Sequence, residues 1–142
     1  MDLKVATLED LPLVRDMALK FLENTEYNKH FNVEKLTAVL EELISDGGST
    51  KIVILCEDKG MIVGIVNPFL YGTKLVATEL GWWVEPEERK NGVGESLLKA
   101  FEFWANKVGC SLITMISLDD ELGQYYEKKG YKLYERAYMK EI

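Results

Sequence analysis

Arg89-Lys90-Asn91-Gly92-Val93-Gly94 separates an apolar run, Leu75 to Val84, from an amphipathic one, Glu95 to Val108. A glycine-rich turn between a strand and a helix aims the N–H groups left free at the helix start toward one point, and that point favours a phosphate. Arg89 and Lys90 add positive charge to those donors, while Gly92 and Gly94 let the backbone approach a bulky anion with no Cβ in the way. Two other phosphate loops fail on spacing. A P-loop requires four residues between its glycines and then Lys-Ser/Thr, and a dinucleotide fingerprint requires a third glycine where Leu97 stands.

On the N-terminal side of this turn, Leu3 to Ala6 reads as a short strand, and Thr7 begins a T-x-x-D arrangement that caps a helix over Glu9 to Asn24. Leu11, Val14, Ala18, Phe21 and Leu22 fall on one face of that helix. A second helix is predicted after Asn32, with Leu36, Val39, Leu40 and Leu43 inward and a stop at Gly47-Gly48. Lys51 to Cys56 and Met61 to Val66 are β-branched runs joined by a turn, hence a hairpin, and Leu75 to Val84 is the next strand. Beyond the glycine-rich turn, a helix from Gly94 to Val108 sets Leu97, Leu98, Phe101 and Trp104 against the sheet. A buried strand from Ser111 to Leu118, a helix from Asp120 to Lys129 closed by Gly130, and a final alternating strand from Tyr131 to Met139 complete the chain. Periodicity alone makes this a mixed fold of helices and strands.

The string RKNGVG has the R-x-x-G-x-G form of the acyl-CoA pyrophosphate loop of the GNAT N-acetyltransferase superfamily, and Tyr125 to Tyr131, YYEKKGY, resembles that family's C-terminal motif. Two motifs in the right order and separation, within a β-αα-βββ-α-β-α-β pattern, extend the resemblance over nearly all 142 residues. The chain is most similar to small single-domain members, including those found in phage genomes. The resemblance implies an α+β GNAT fold, with a mixed, largely antiparallel sheet flanked by helices. It also implies that Leu75 to Val84 and Ser111 to Leu118 run parallel and splay apart around acyl-CoA.

Composition agrees with a single domain over residues 1–142: 47% of residues are hydrophobic and 11% aromatic, ample for one core. With 24 acidic against 17 basic residues, the net charge of −7 disfavours binding to a nucleic-acid backbone and tilts toward a cationic substrate or partner. No apolar run approaches the roughly 20 residues of a membrane span, and the first residues do not read as a signal peptide, so a cytoplasmic protein is expected. Cys56 and Cys110 stand alone and His30 is the sole histidine, so no metal is expected and acid–base work falls to carboxylates and tyrosines.

Acetyl transfer to an amine requires loss of a proton from an ammonium of pKa ~10, a donor for the thioester oxyanion, and an acid for the leaving thiolate. For the oxyanion, the resemblance implies a backbone N–H at Trp83 or Val84. It carries the general-acid role to Tyr126, four residues before Gly130; packing against the pantetheine arm is the plainer reading of that side chain. Glu79 is the candidate base: several subgroups of the family place a catalytic glutamate near here, but others have it one residue earlier, where this chain has Thr78, and a one-residue shift reverses the face of a strand unless a bulge intervenes. A water chain is the other route for the proton. Cofactor contacts are expected from Trp83, Val84, Arg89, Lys90, Asn91, Gly92, Val93, Gly94 and Asp119. Asp119 stands where many members have Asn, and Leu122 where they have Ala. The polar and aromatic loop Thr25 to Phe31, with Tyr27, Asn28 and His30, falls on the side where this fold takes its acceptor.

The expected activity is therefore acetyl-CoA-dependent N-acetylation of a small-molecule or protein amine by direct attack in a ternary complex. The competing reading is a non-catalytic acyl-CoA-binding or partner-binding module on the same fold. The aromatic content of so small a domain is compatible with a homodimer.

Overall fold

The apolar hairpin anchors the sheet. Strands β2 (Lys51–Cys56) and β3 (Gly60–Pro68) pair antiparallel in register from Lys51↔Ile65 to Cys56↔Gly60, across a turn in which Glu57 takes φ +51°. Both faces of β2 are covered. Val53 and Leu55 pack with Val14, Met17 and Leu40, while Ile52, Ile54 and Cys56 pack with Leu97, Phe101 and Trp104. A continuous apolar run, rather than an alternating one, is the sequence form of a strand buried on both sides.

The computed structural model describes residues 1–142. β1 (Leu3–Val5) lies outside β2, and β4 (Leu75–Val84) lies on the far side of β3, all antiparallel; β5 (Leu112–Thr114) joins β4 in parallel. The sheet order is thus β1-β2-β3-β4-β5. Helices α1 (Leu11–Glu23) and α2 (Val33–Ser45) cover one face and α3 (Val93–Lys107) the other; α4 (Asp120–Lys128) follows β5. The Asp10 carboxylate accepts the Thr7 N–H at 2.8 Å, as the capping pattern requires, but it opens a short 3-10 turn, Leu8–Asp10, from which α1 continues. Of the α2 residues expected inward, Leu40 and Leu43 are buried and Leu36 packs against the core, whereas Val39 is exposed and Ile44 fills the core instead. No helix is long and apolar enough to cross a membrane.

Two expectations at the C-terminal side are corrected. The strand expected over Ser111 to Leu118 is hydrogen-bonded only at Leu112–Thr114. The final strand expected over Tyr131 to Met139 does not form. After Tyr131, whose N–H bonds the Tyr126 carbonyl and whose hydroxyl bonds Glu102, the chain leaves the sheet, with Leu133, Tyr134, Tyr138 and Met139 exposed. Alternation states which residues share a face, but a strand exists only where another strand supplies the ladder partners.

Candidate active site

Pairing between β4 and β5 covers Val76↔Leu112, Ala77↔Ile113 and Thr78↔Thr114, and then the strands part. At the next residue a side chain takes over: Glu79 Oε1 accepts the Ile116 N–H at 3.0 Å. The carbonyl of the same Ile116 accepts the Tyr126 hydroxyl at 3.0 Å. The two backbone groups of one residue therefore tie the two candidate catalytic side chains together. Glu79 is only 3% exposed. Burial, opposed solely by the Ile116 N–H, pushes its carboxyl from the ordinary 4.5 up to about 7. Its second oxygen makes no hydrogen bond, and the residue lines a pocket. Burial, and next the nearby Glu79, raise the Tyr126 phenol well above its ordinary range, so it stays protonated at neutral pH.

What aims Glu79 is a bulge. In β4, Val63 faces Gly81 but the next residue of β3, Gly64, faces Glu79, so Leu80 has no partner. The extra residue restores the parity that a one-residue shift would lose: Ala77, two residues before Glu79, and Trp82 and Val84, beyond the bulge, all contact the α3 side of the sheet. The backbone follows the same logic. Glu85 N–H donates to the Lys59 carbonyl at 2.8 Å, so by ladder alternation the Trp83 and Gly81 peptide groups also face β3, while those of Trp82 and Val84 face the opening. Arg89 Nε donates to the Val84 carbonyl at 3.0 Å, on that open side.

Two clefts meet in the opening. The smaller, about 30 Å³, is walled by Phe21 and Tyr27 from the α1 side, by Glu79 and Leu80 of β4, by Ile116 and Leu118, and by Tyr126. The larger, about 390 Å³, runs between the end of β4, with Trp83, Val84 and Arg89, and the start of α4, with Glu121 and Tyr125. Trp82 and Leu122 border both. Trp82 stacks on Tyr126 with ring centroids 6.1 Å apart. Trp82 Nε1 and the Tyr125 hydroxyl are buried without any hydrogen-bond partner, and both residues line the larger cleft. Orphaned buried donors are costly by about 1–3 kcal/mol each.

At the mouth of the larger cleft stands the glycine-rich turn. Gly92, at φ +84°, is the left-handed residue that starts α3, and Lys90 is also left-handed at φ +74°. Ser96 N–H is the first to find a helix acceptor, the Gly92 carbonyl at 3.0 Å, which leaves the Val93, Gly94 and Glu95 N–H groups without one. The one carboxylate of that turn, Glu95, is engaged by Lys129 at 2.5 Å, and Lys129 lies 5.5 Å from the centre of the Tyr125 ring.

The family model for an acetyltransferase (GNAT) domain matches residues 49–133, more than half of the chain. The chain belongs to the GNAT acetyltransferase family. Solved structures agree in fold over the whole length. A probable acetyltransferase aligns at 22% identity with a TM-score of 0.78, covering 100% of this chain and 98% of its own. An acetyltransferase of Trypanosoma brucei aligns at 20% with a TM-score of 0.75, covering 99% of each chain. An aminoglycoside antibiotic 6'-N-acetyltransferase from Acinetobacter haemolyticus aligns at 18% with a TM-score of 0.75, covering 100% and 99%. No curated protein sequence matches the chain.

In this GNAT acetyltransferase the structure brings Glu79, Tyr126 and Tyr27 to one pocket, and Trp83, Val84 and Arg89 to the adjoining cleft. Lys90, Asn91, Gly92 and Gly94 surround the start of α3, and the Val93 side chain is in the core. Asp119 is spent on the fold: its carboxylate caps α4 by accepting the Leu122 N–H at 2.8 Å, and it lines neither cleft. Asn28 and His30 are exposed and line neither cleft. Of the adjacent tryptophans, Trp83 is packed beneath α1 and α2 and bonds Glu85, whereas Trp82 holds the junction. Sequence reasoning passed over Tyr125, noted Leu122 only as a departure from the family's Ala, and left open which of Trp82 and Trp83 borders the cleft. Adjacent residues on a strand face opposite ways, but which of two tryptophans faces the opening depends on the bulge.

Proposed function

We propose that this GNAT acetyltransferase moves an acetyl group from acetyl-CoA to a primary amine by direct attack in a ternary complex. The observation that carries this reading is the Glu79 carboxyl, buried in the smaller pocket where β4 parts from β5 and raised to about 7. A base of that pKa is half-ionised at neutral pH and matched to accepting a proton there.

Acetyl-CoA supplies a thioester carbonyl open to attack by nitrogen. The residues fit it: the free N–H groups of Val93, Gly94 and Glu95, with Arg89 and Lys90 beside them, form an anion site for the pyrophosphate. Trp82, Leu122 and Tyr125 wall the larger cleft and offer an apolar channel for a pantetheine arm. Glu79 takes a proton from the ammonium, directly or through one water, and passes it to solvent. The Val84 N–H, turned to the opening, is the donor for the oxygen as it gains charge. As the C–N bond forms and the C–S bond breaks, the second amine proton leaves and the thiolate is protonated. Tyr126 serves that last step as a hydrogen-bond donor when its one O–H turns from the Ile116 carbonyl to the thiolate. A phenol raised this far gives up its proton reluctantly, so it steadies the thiolate more than it titrates it.

Calorimetric titration with acetyl-CoA tests the reading, with Gly94→Glu as the control. An ideal Cβ at Gly94 would lie 3.4 Å from the Trp82 ring, ordinary contact, so the carboxylate and not a clash is the change. Saturable binding to the wild type, lost in the variant, is expected; equal affinity removes the phosphate site.

A further inference from the structure

Resting on that reading, we infer that the acceptor is a small primary monoamine with an apolar substituent, and not a polycation, a polyhydroxylated amine or a free amino acid. The smaller pocket offers a single carboxylate, Glu79, and otherwise apolar walls from Phe21, Tyr27, Leu80, Ile116, Leu118 and Leu122. One carboxylate matches one ammonium. A second ammonium on the same molecule would sit against hydrocarbon, which costs several kcal/mol unless a partner is supplied. Glu23 and Glu26, the loop carboxylates nearest in sequence to Tyr27, do not line the pocket. No lysine or arginine lines it either, so an α-carboxylate would meet Glu79 with no counter-charge. Sugar hydroxyls would lose their water and find few partners, since the side-chain polar groups of the lining are Glu79, the Tyr27 and Tyr126 hydroxyls and the Trp82 N–H.

The rim carries the same message independently. Leu80 is 40% exposed, Leu118 50% and Tyr27 39%, all at the mouth of this pocket. Large apolar side chains left in water around a concavity mark a surface that is covered when a ligand binds. Leu80 is placed there by the bulge, because the residue without a ladder partner in β4 is the one that reaches the rim. The narrow enclosed part, about 30 Å³, admits an aminomethyl group, and the apolar remainder of the acceptor lies against the rim. This chemistry separates the chain from the aminoglycoside acetyltransferase whose fold it shares.

The test is thiol release at saturating acetyl-CoA with 2-phenylethylamine and hexylamine against spermidine, kanamycin and alanine, alongside calorimetry of each amine on CoA-loaded protein. The monoamines should exceed the others in kcat/KM by at least about tenfold, the scale of one buried apolar group. Leu80→Glu and Leu118→Glu, at half-exposed positions that tolerate charge, should move the preference toward spermidine by a similar factor while the acetyl-CoA affinity stays within about twofold. Faster turnover of kanamycin, spermidine or alanine by the wild type overturns the inference and leaves acetyl transfer standing. If no amine is turned over, the ranking of amine affinities decides: monoamine binding no tighter than kanamycin also overturns it. Loss of acetyl-CoA binding itself strikes the parent reading and is seen separately, in the titration without amine.

Discussion

The two halves of β4 differ although they are one strand. Val76 to Thr78 is zipped to β5, with Val76 and Ala77 in the core and Thr78 accepting from the Thr114 hydroxyl at 3.3 Å. From Glu79 to Val84 the same edge has no strand partner, and the Glu79 carboxyl, raised to about 7, and the Trp82 and Val84 peptide groups lie along the gap. The comparison teaches that the site is made by stopping a ladder. Backbone groups that β5 would have paired are left free along the gap, and the carboxylate of Glu79 bridges its first step.

The sharpest way to break the open half is Glu79→Gln, which keeps the Ile116 acceptor and removes the proposed base. Turnover should fall by about 10²- to 10⁴-fold, and the inflection near pH 7 in the wild-type kcat/KM profile should vanish; an unchanged profile would make water the base. The same variant carries a stability signature. A carboxyl near 7 in the folded chain and 4.5 when unfolded means that the folded state holds the extra proton between those values, so stability falls as pH rises through that window. The loss is roughly 3 kcal/mol above pH 7. Glu79→Gln escapes it, so its Tm should gain on the wild type from pH 5 to pH 8.

Next in size is an attack on the bulge. A Cβ at Gly64 would fall 2.2 Å from the Phe101 ring and 3.0 Å from the Thr78 carbonyl. Gly64→Ala should cost about 1–3 kcal/mol in denaturant unfolding and, by pushing β3 and β4 apart at the register shift, lower kcat as well. A full-rate variant would show that Glu79 is aimed without the bulge. Tyr126→Phe is milder: it removes the bond to Ile116 and the donor at the thiolate, so kcat should drop about tenfold, a single hydrogen bond's worth, with the acetyl-CoA affinity unchanged. The smallest effect belongs to Asp119→Ala, which removes the α4 cap and should cost about 1 kcal/mol of stability. A large loss of cofactor affinity in that variant would return Asp119 to the cofactor site.

The zipped half was legible and the open half was not. An apolar run from Leu75 to Val84 announces a buried strand, and Leu97, Leu98, Phe101 and Trp104 announce the helix face above it. Gly64 and Gly81 were the available hints of irregularity, since glycine within a strand often marks a bulge or a close approach. Neither says that Leu80 is the residue left over. The expected strand from Tyr131 to Met139 shows the reverse failure, alternation with no ladder to join.

The sequence by itself determined the helices, the apolar hairpin, the glycine-rich turn with its free N–H groups and the family, because each depends on neighbours a few residues apart: periodicity, capping and left-handed φ. Only the tertiary structure decided that Trp82 borders both clefts while Trp83 packs beneath α1 and α2 and reaches only the larger, that Asp119 is a cap, and that Glu79 is raised to about 7 beside an apolar pocket. Those follow from where β4 slips past β3 and parts from β5, and burial, not residue type, sets the proton affinity of a carboxylate.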